Sequence, residues 1–177
     1  MATKDQKTAG AAVGMTAGVA TLAAVFIPHW ESGGRMDTTV RHQGFDPPGV
    51  YTVCDGITNL DPDYAWIKPG MIFTQQQCAE AFSTVLPKYY EPLAACMLTF
   101  PLMPVHRQVA LLSAAYNLGP DRVCNGGIAR ELNAGHVRAG CSLLGQYIKA
   151  NGKVLKGLEN RRFDPKWGEI AWCMKED

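Results

Sequence analysis

From Thr8 to Trp30 the chain carries no Asp, Glu, Lys or Arg, and its apolar side chains are diluted by Gly10, Gly14, Gly18 and many alanines. After Glu31 the pattern changes. Residues 32–58 are rich in Gly, Pro, Thr and Val, which predicts a loop with short strands. Residues 59–70, with Pro62, Pro69 and Gly70, predict a surface excursion. From Thr74 onward helical periodicity takes over. Thr74 and Gln77 form a capping-box pair that opens a helix through about Leu86. A second helix is expected from Pro87 or Pro92 to Leu98. Pro104 suits the first turn of an apolar helix over Val105–Asn117, closed by Gly119, with Val109, Leu112, Ala115 and Tyr116 facing inward. Further helices are expected over Gly127–Asn133, Val137–Ala150, Lys156–Arg162 and Pro165–Met174. The layout is α+β and mainly helical: a small β-containing lobe, then a larger helical lobe, with a cleft between them as the natural substrate site.

The uncharged run divides the chain into residues 1–28, a weak membrane or signal-anchor segment, and residues 29–177, the folded domain. Such a run is long enough to cross a bilayer as a helix, but Gly and Ala contribute little transfer energy. Lys4 and Lys7 precede it, which places the N-terminus in the cytoplasm and the rest outside. Three fates stay open. They are a cleaved signal peptide using Ala-x-Ala-like sites among Ala20, Ala23 and Ala24, a permanent anchor, and a weak anchor able to leave the membrane. The glycine and alanine content favours the last, and Gly10, Gly14 and Gly18 also offer a small-residue helix contact.

Charge and cysteine usage narrow the partners. Setting aside Lys4, Lys7 and Asp5, the 17 basic and 16 acidic residues fall to 15 of each. That balance argues against nucleic acid, which needs a concentrated basic surface. All six cysteines follow the uncharged run: Cys54, Cys78, Cys96, Cys124, Cys141 and Cys173. None forms a Cys-x-x-Cys pair and the four histidines lack ligand spacing, so no metal is expected. An oxidising compartment such as a bacterial periplasm suits six cysteines, whose 15 pairings the residues leave open.

Candidate chemistry lies on both sides of the run's end. Cleaving a glycosidic bond takes a proton donor on one side and a positioned water or nucleophile on the other. Glu31, beside Trp30, is placed to hold its proton as the donor. Asp46 with Thr52 is placed to hold the water. By themselves Asp46 before Pro47 is a common turn acid and Thr52 an ordinary strand residue. Asp55, a second acid near the site, reads as a flanking acid or as one that shapes the cleft. Asn117 reads as a helix end or a sugar contact, and Arg161 and Arg162 as surface or lobe-bridging charges.

From Trp30 to the C-terminus the chain resembles the phage-type lysozymes of the T-even kind (glycoside hydrolase family 24), above all phage endolysins with a signal-anchor-release segment. Glu31, Arg35, Asp46, Gly49, Val50, Thr52, Val53, Cys54 and Gly56 stand where that family has its acid, Gly-x-Arg, Tyr-x-Asp and Gly-Val-x-Thr-Val-Cys-x-Gly. Ala115-Tyr116-Asn117-Leu118-Gly119, Leu132-Asn133-Ala134-Gly135 with Ala139-Gly140-Cys141, and Gly152-Lys153 through Arg161-Arg162 resemble its later motifs, in order.

The resemblance implies a lysozyme-like fold. It implies a monomeric endolysin that hydrolyses the β-1,4 bond between N-acetylmuramic acid and N-acetylglucosamine of peptidoglycan, by inversion and without cofactor. Glu31, Asp46 and Thr52 would be catalytic, and Asn117 and Arg35 would bind substrate. The domain would be held at the host inner membrane, facing the periplasm, and then released. Family-like topology implies the pairs Cys96–Cys124, Cys141–Cys173 and Cys54–Cys78. The chain departs from the family in a longer Glu31–Asp46 interval and in Ser32 after the acid. It also has Trp30 and Ile57 where a supporting ion pair commonly stands, and an apolar Trp30–Ile57 contact is expected instead. A lytic transglycosylase and an inactive wall-binding module are the alternatives.

Overall fold

The computed structural model describes residues 14–43 and 47–176; Gly10, Asp46 and the start of the uncharged run lie outside them. The first helix, α1, covers Ala17–Glu31. Thr16 caps its start by accepting from the Val19 N–H. Pro28 sits inside it, and the carbonyl it leaves without a donor belongs to Ala24, an exposed residue. The helix closes where the Ser32 and Gly34 amides both donate to the Pro28 carbonyl, with Gly33 and Gly34 at positive φ.

A three-stranded antiparallel sheet follows: β1 (Asp37–Arg41), β2 (Thr52–Cys54) and β3 (Ile57–Thr58), in that order. Cys54-Asp55-Gly56 makes the turn from β2 to β3 between the paired Val53 and Ile57, with Cys54 and Gly56 at positive φ. Gly56 has φ 93°, and a Cβ there would lie 3.1 Å from the Tyr116 ring. The remaining helices are α2 (Gln75–Cys96), α3 (Val105–Leu118), α4 (Pro120–Cys124), α5 (Gly127–Asn133), α6 (Val137–Ser142), α7 (Lys156–Phe163) and α8 (Glu169–Met174), with a hairpin of β4 (Lys149–Ala150) and β5 (Lys153–Val154) before α7.

The capping box of α2 forms as expected, but the helix runs through Pro87 and Pro92 without a break. Ser83 and Lys88, whose carbonyls lose their donors, are both exposed, so water replaces the missing bonds. The buried face meanwhile continues unbroken through Phe82, Val85, Leu86, Tyr90 and Leu93. The expected helix over residues 137–150 stops at Ser142. Gly145 passes so close to Phe163 that a Cβ would sit 2.7 Å from its ring, and Asn151-Gly152, both at positive φ, turns the chain into β4–β5. The last helix starts at Glu169 rather than Pro165, because the Asp164 carboxylate accepts from the Lys166 and Trp167 amides and holds a turn there.

Two cores result. The larger joins α1, α3, α5 and parts of α2 and α8 around Leu111, Leu112 and Phe100. The smaller sits beneath the sheet around Val40, Val53, Ile57 and Phe73. α2 serves both: Cys78, Ala81 and Val85 face the small core, and Phe82, Leu86, Tyr90 and Leu93 the large one. This is the two-lobed, mainly helical α+β lysozyme-like fold.

α1 belongs to the large core. Val19, Ala23, Phe26 and Ile27 are fully buried in it. Among the described residues no helix is long and apolar enough to cross a membrane. The three disulfides join Cys54 to Cys78, Cys96 to Cys124 and Cys141 to Cys173, the pairing that the resemblance implied. The first fastens β2 to α2 and the last fastens α6 to α8.

Candidate active site

A cleft of about 560 Å³ opens between the sheet and the helices, lined by Glu31, Ser32, Arg35, Asp37, Arg41, Gln43, Thr52, Cys54, Gly56, Thr58, Tyr116 and Asn117. Four of the five residues singled out from sequence line it: Glu31, Thr52, Arg35 and Asn117. The fifth, Asp46, lies outside the described residues. The last residue of α1 supplies Glu31, β2 supplies Thr52, and the end of α3 supplies Asn117.

Glu31 is held by charge rather than by an apolar surface. Arg161 Nη1 donates to Glu31 Oε1 at 2.6 Å. The same guanidinium donates through Nε to Glu169 Oε1 at 2.8 Å, and through Nη2 to the Ser113 carbonyl and hydroxyl, each at 2.9 Å. Glu169 is fully buried. It also accepts from the Ser113 hydroxyl at 2.7 Å and, through Oε2, from Arg162. Arg162 in turn donates to Asn117 Oδ1 at 2.7 Å. Two carboxylates and two guanidiniums thus make one network from α1 through α7, α8 and α3 to the cleft wall. Burial opposes the charge of Arg161, but Glu169 and Glu31 outweigh it and hold the guanidinium protonated.

Several expectations need correcting here. Arg161 and Arg162 are not surface charges but the buried centre of the site, 3 % and 0 % exposed. Apart from the family-like motif that ends in them, nothing in their sequence context separates them from helix-surface arginines, and Glu169, their buried partner, stands in no such motif. The expected Trp30–Ile57 contact is not formed. Trp30 packs into the helical lobe and donates its indole N–H to the Trp167 carbonyl at 3.0 Å, whereas Ile57 lies in the small core beneath the sheet.

The segment between Glu31 and Thr52 builds a cleft wall from β1. Asp37 pairs across the sheet with Cys54, and Arg41 with Thr52. Asp37 faces the Arg41 guanidinium four residues on and accepts the Thr39 amide through Oδ1. The sequence reading had passed over Asp37. On the far side Tyr116 donates its hydroxyl to the Asp55 carbonyl at 2.7 Å. Burial, reinforced by the charges of Glu31 and Asp55, pushes that phenol well up, so it remains a donor.

A model of the phage lysozyme family matches residues 35–164. The chain belongs to the phage lysozyme family. That membership makes it a lysozyme-type glycoside hydrolase directed at peptidoglycan. As placed on this phage lysozyme, the match begins four residues after Glu31, so α1 and the candidate acid lie outside it. No curated protein matches the chain. Among solved structures, the muramidase domain of SpmX from Asticaccaulis excentricus superposes with a TM-score of 0.70 at 19 % identity, over 92 % of this chain and 97 % of that one. The active form of the P1 phage endolysin Lyz gives 0.66 at 21 %, over 93 % and 96 %. The endolysin of the Escherichia coli O157:H7 phage FAHEc1 gives 0.68 at 19 %, over 88 % and 91 %. At such identities these structures speak for the fold.

Proposed function

We propose that this phage lysozyme is an endolysin that hydrolyses the β-1,4 bond between N-acetylmuramic acid and N-acetylglucosamine to lyse the host cell. The observation that carries this is Glu31, which ends α1 inside the cleft together with Thr52. Arg161 occupies Glu31 Oε1, so the proton to be donated belongs on Oε2. That oxygen faces the β2–β3 turn, 3.6 Å from where a Cβ on Gly56 would lie. Glu31 protonates the leaving oxygen. Asp46, assisted by Thr52, directs a water onto the opposite face of the sugar, which yields inversion.

Asp46→Asn should lower the turnover of purified peptidoglycan by about 10²–10⁴-fold. Thr52→Ala should lower it by roughly tenfold, or about 1.4 kcal/mol. Mass spectrometry and proton NMR of the products test the chemistry. A hydrated reducing end with inverted anomeric configuration supports the reading. An anhydro sugar would make the enzyme a transglycosylase instead.

We infer further that residues 9–27 first lie in the inner membrane and leave it before the enzyme acts. Anchoring and folding then compete for the same side chains, because Val19, Ala23, Phe26 and Ile27 fill the large core. Gly14 and Gly18 are exposed, with room for a side chain. Replacing both with Leu should therefore leave the folded domain intact while strengthening insertion. Fractionated cells should show this variant retained in the membrane with lysis delayed. Its release into the periplasm as readily as wild type would refute the competition.

A further inference from the structure

Asp55 is a buried carboxyl that the chemistry above does not use. It is 2 % exposed, and its side-chain partner is the hydroxyl of Ser32, 2.7 Å from Oδ1. Ser32 follows Glu31 directly, and the same hydroxyl lies 3.1 Å from the Pro28 carbonyl in the last turn of α1. The peptide after Asp55 runs against the acid itself, as the 3.6 Å approach of a Gly56 Cβ to Glu31 Oε2 records. The Ser32–Asp55 bond therefore ties the end of the helix carrying Glu31 to the β2–β3 turn. It joins the same two segments that a Trp30–Ile57 contact would have joined.

Burying the Asp55 carboxyl is expensive for stability, and the Ser32 hydroxyl offsets part of that cost. Burial pushes the Asp55 carboxyl up, against the pull of the Ser32 hydroxyl. An acid raised in the folded state favours folding fully below its unfolded pKa, and loses that contribution as the pH rises through the folded value. Near neutral pH the ionised carboxylate thus weighs against the fold.

We propose that Asp55, acting through Ser32, is a positioning residue for Glu31: by holding the Ser32 hydroxyl against the β2–β3 turn it fixes where the end of α1 presents the acid's side chain. The inference rests on Glu31 being the proton donor. The other charged and titratable groups around the pair are Arg161 from α7, Tyr116 from α3, Tyr89 from α2, which packs on Tyr116, and Arg35 and Asp37 of the cleft wall.

The test is kcat and KM measured separately on purified peptidoglycan, with thermal melting of the same preparations. Ser32→Ala removes the tie and should lower kcat about tenfold with KM unchanged. Ser32→Thr keeps the hydroxyl and should restore most of it. Asp55→Asn keeps an acceptor for Ser32 but removes the charge. It should melt no lower than wild type at pH 7 and retain kcat within a few-fold, whereas Asp55→Ala, which removes the acceptor, should lower kcat as Ser32→Ala does, with KM unchanged. If Ser32→Ala and Asp55→Ala only alter the melting temperature, with kcat unmoved, Asp55 is structural and the proposal is overturned. Glu31→Gln in the same assay separates the two readings: activity there would remove Glu31 as donor, whatever the Asp55 variants do.

Discussion

Glu31→Gln is expected to reduce the turnover of peptidoglycan by about 10²–10⁴-fold, the usual contribution of a general acid. The amide is nearly isosteric, and its oxygen still accepts from Arg161 Nη1 where Glu31 Oε1 does now. What it lacks is an acidic proton on the other atom. Arg161 keeps Glu169 and Ser113 as partners, so folding stability should change by only about 1 kcal/mol. Turbidity loss of permeabilised cells and a thermal melt on the same preparation separate the two effects. An active, normally folded Glu31→Gln protein would end the mechanism.

Arg161→Met should be the most destabilising change in the site. The guanidinium makes bonds to Glu31, Glu169 and Ser113 from a position 3 % exposed. Without it, the fully buried Glu169 keeps Arg162 and the Ser113 hydroxyl but loses half of its counter-charge. Breaking a buried pair from one side costs about 3–5 kcal/mol, because the remaining charge stays desolvated. In a chain of this size that corresponds to a melting temperature lower by roughly 10 °C. Glu31 also loses the bond that orients it, so activity should fall together with stability. Urea unfolding checks the first effect. A loss below about 1 kcal/mol would mean that water reaches Glu169 and screens it.

Much of this molecule can be read from local chemistry. The Thr74–Gln77 capping box, the Pro104 start and Gly119 stop of α3, and the bounds of α5 follow from residues a few positions apart, and the helices form where they predict. The failures occur where a distant neighbour decides. α2 continues through Pro87 and Pro92 because both cores need its face. The chain turns into a hairpin at Asn151-Gly152, a signal that was present in the sequence and lost among helical periodicity.

The candidate site divides in the same way. Motif order brought Glu31, Thr52, Arg35 and Asn117 to one cleft, since each residue type in its pattern already suggests its use. The disulfide pairs came from resemblance and could not have come from spacing, because pairing depends on Cα separations of 5.4–5.6 Å that only the fold creates. What supports Glu31 was invisible. Arg161 stands 130 residues away in sequence, Glu169 is an ordinary helix-start acid until it is buried, and Asp55 is a turn residue until Ser32 reaches it. The sequence by itself determined the helical segments, the order of the lobes and the residues able to do the chemistry, because those depend on near neighbours. The tertiary structure alone decided which charges are buried and what each faces, because desolvation and ion pairing arise only when remote segments close over them.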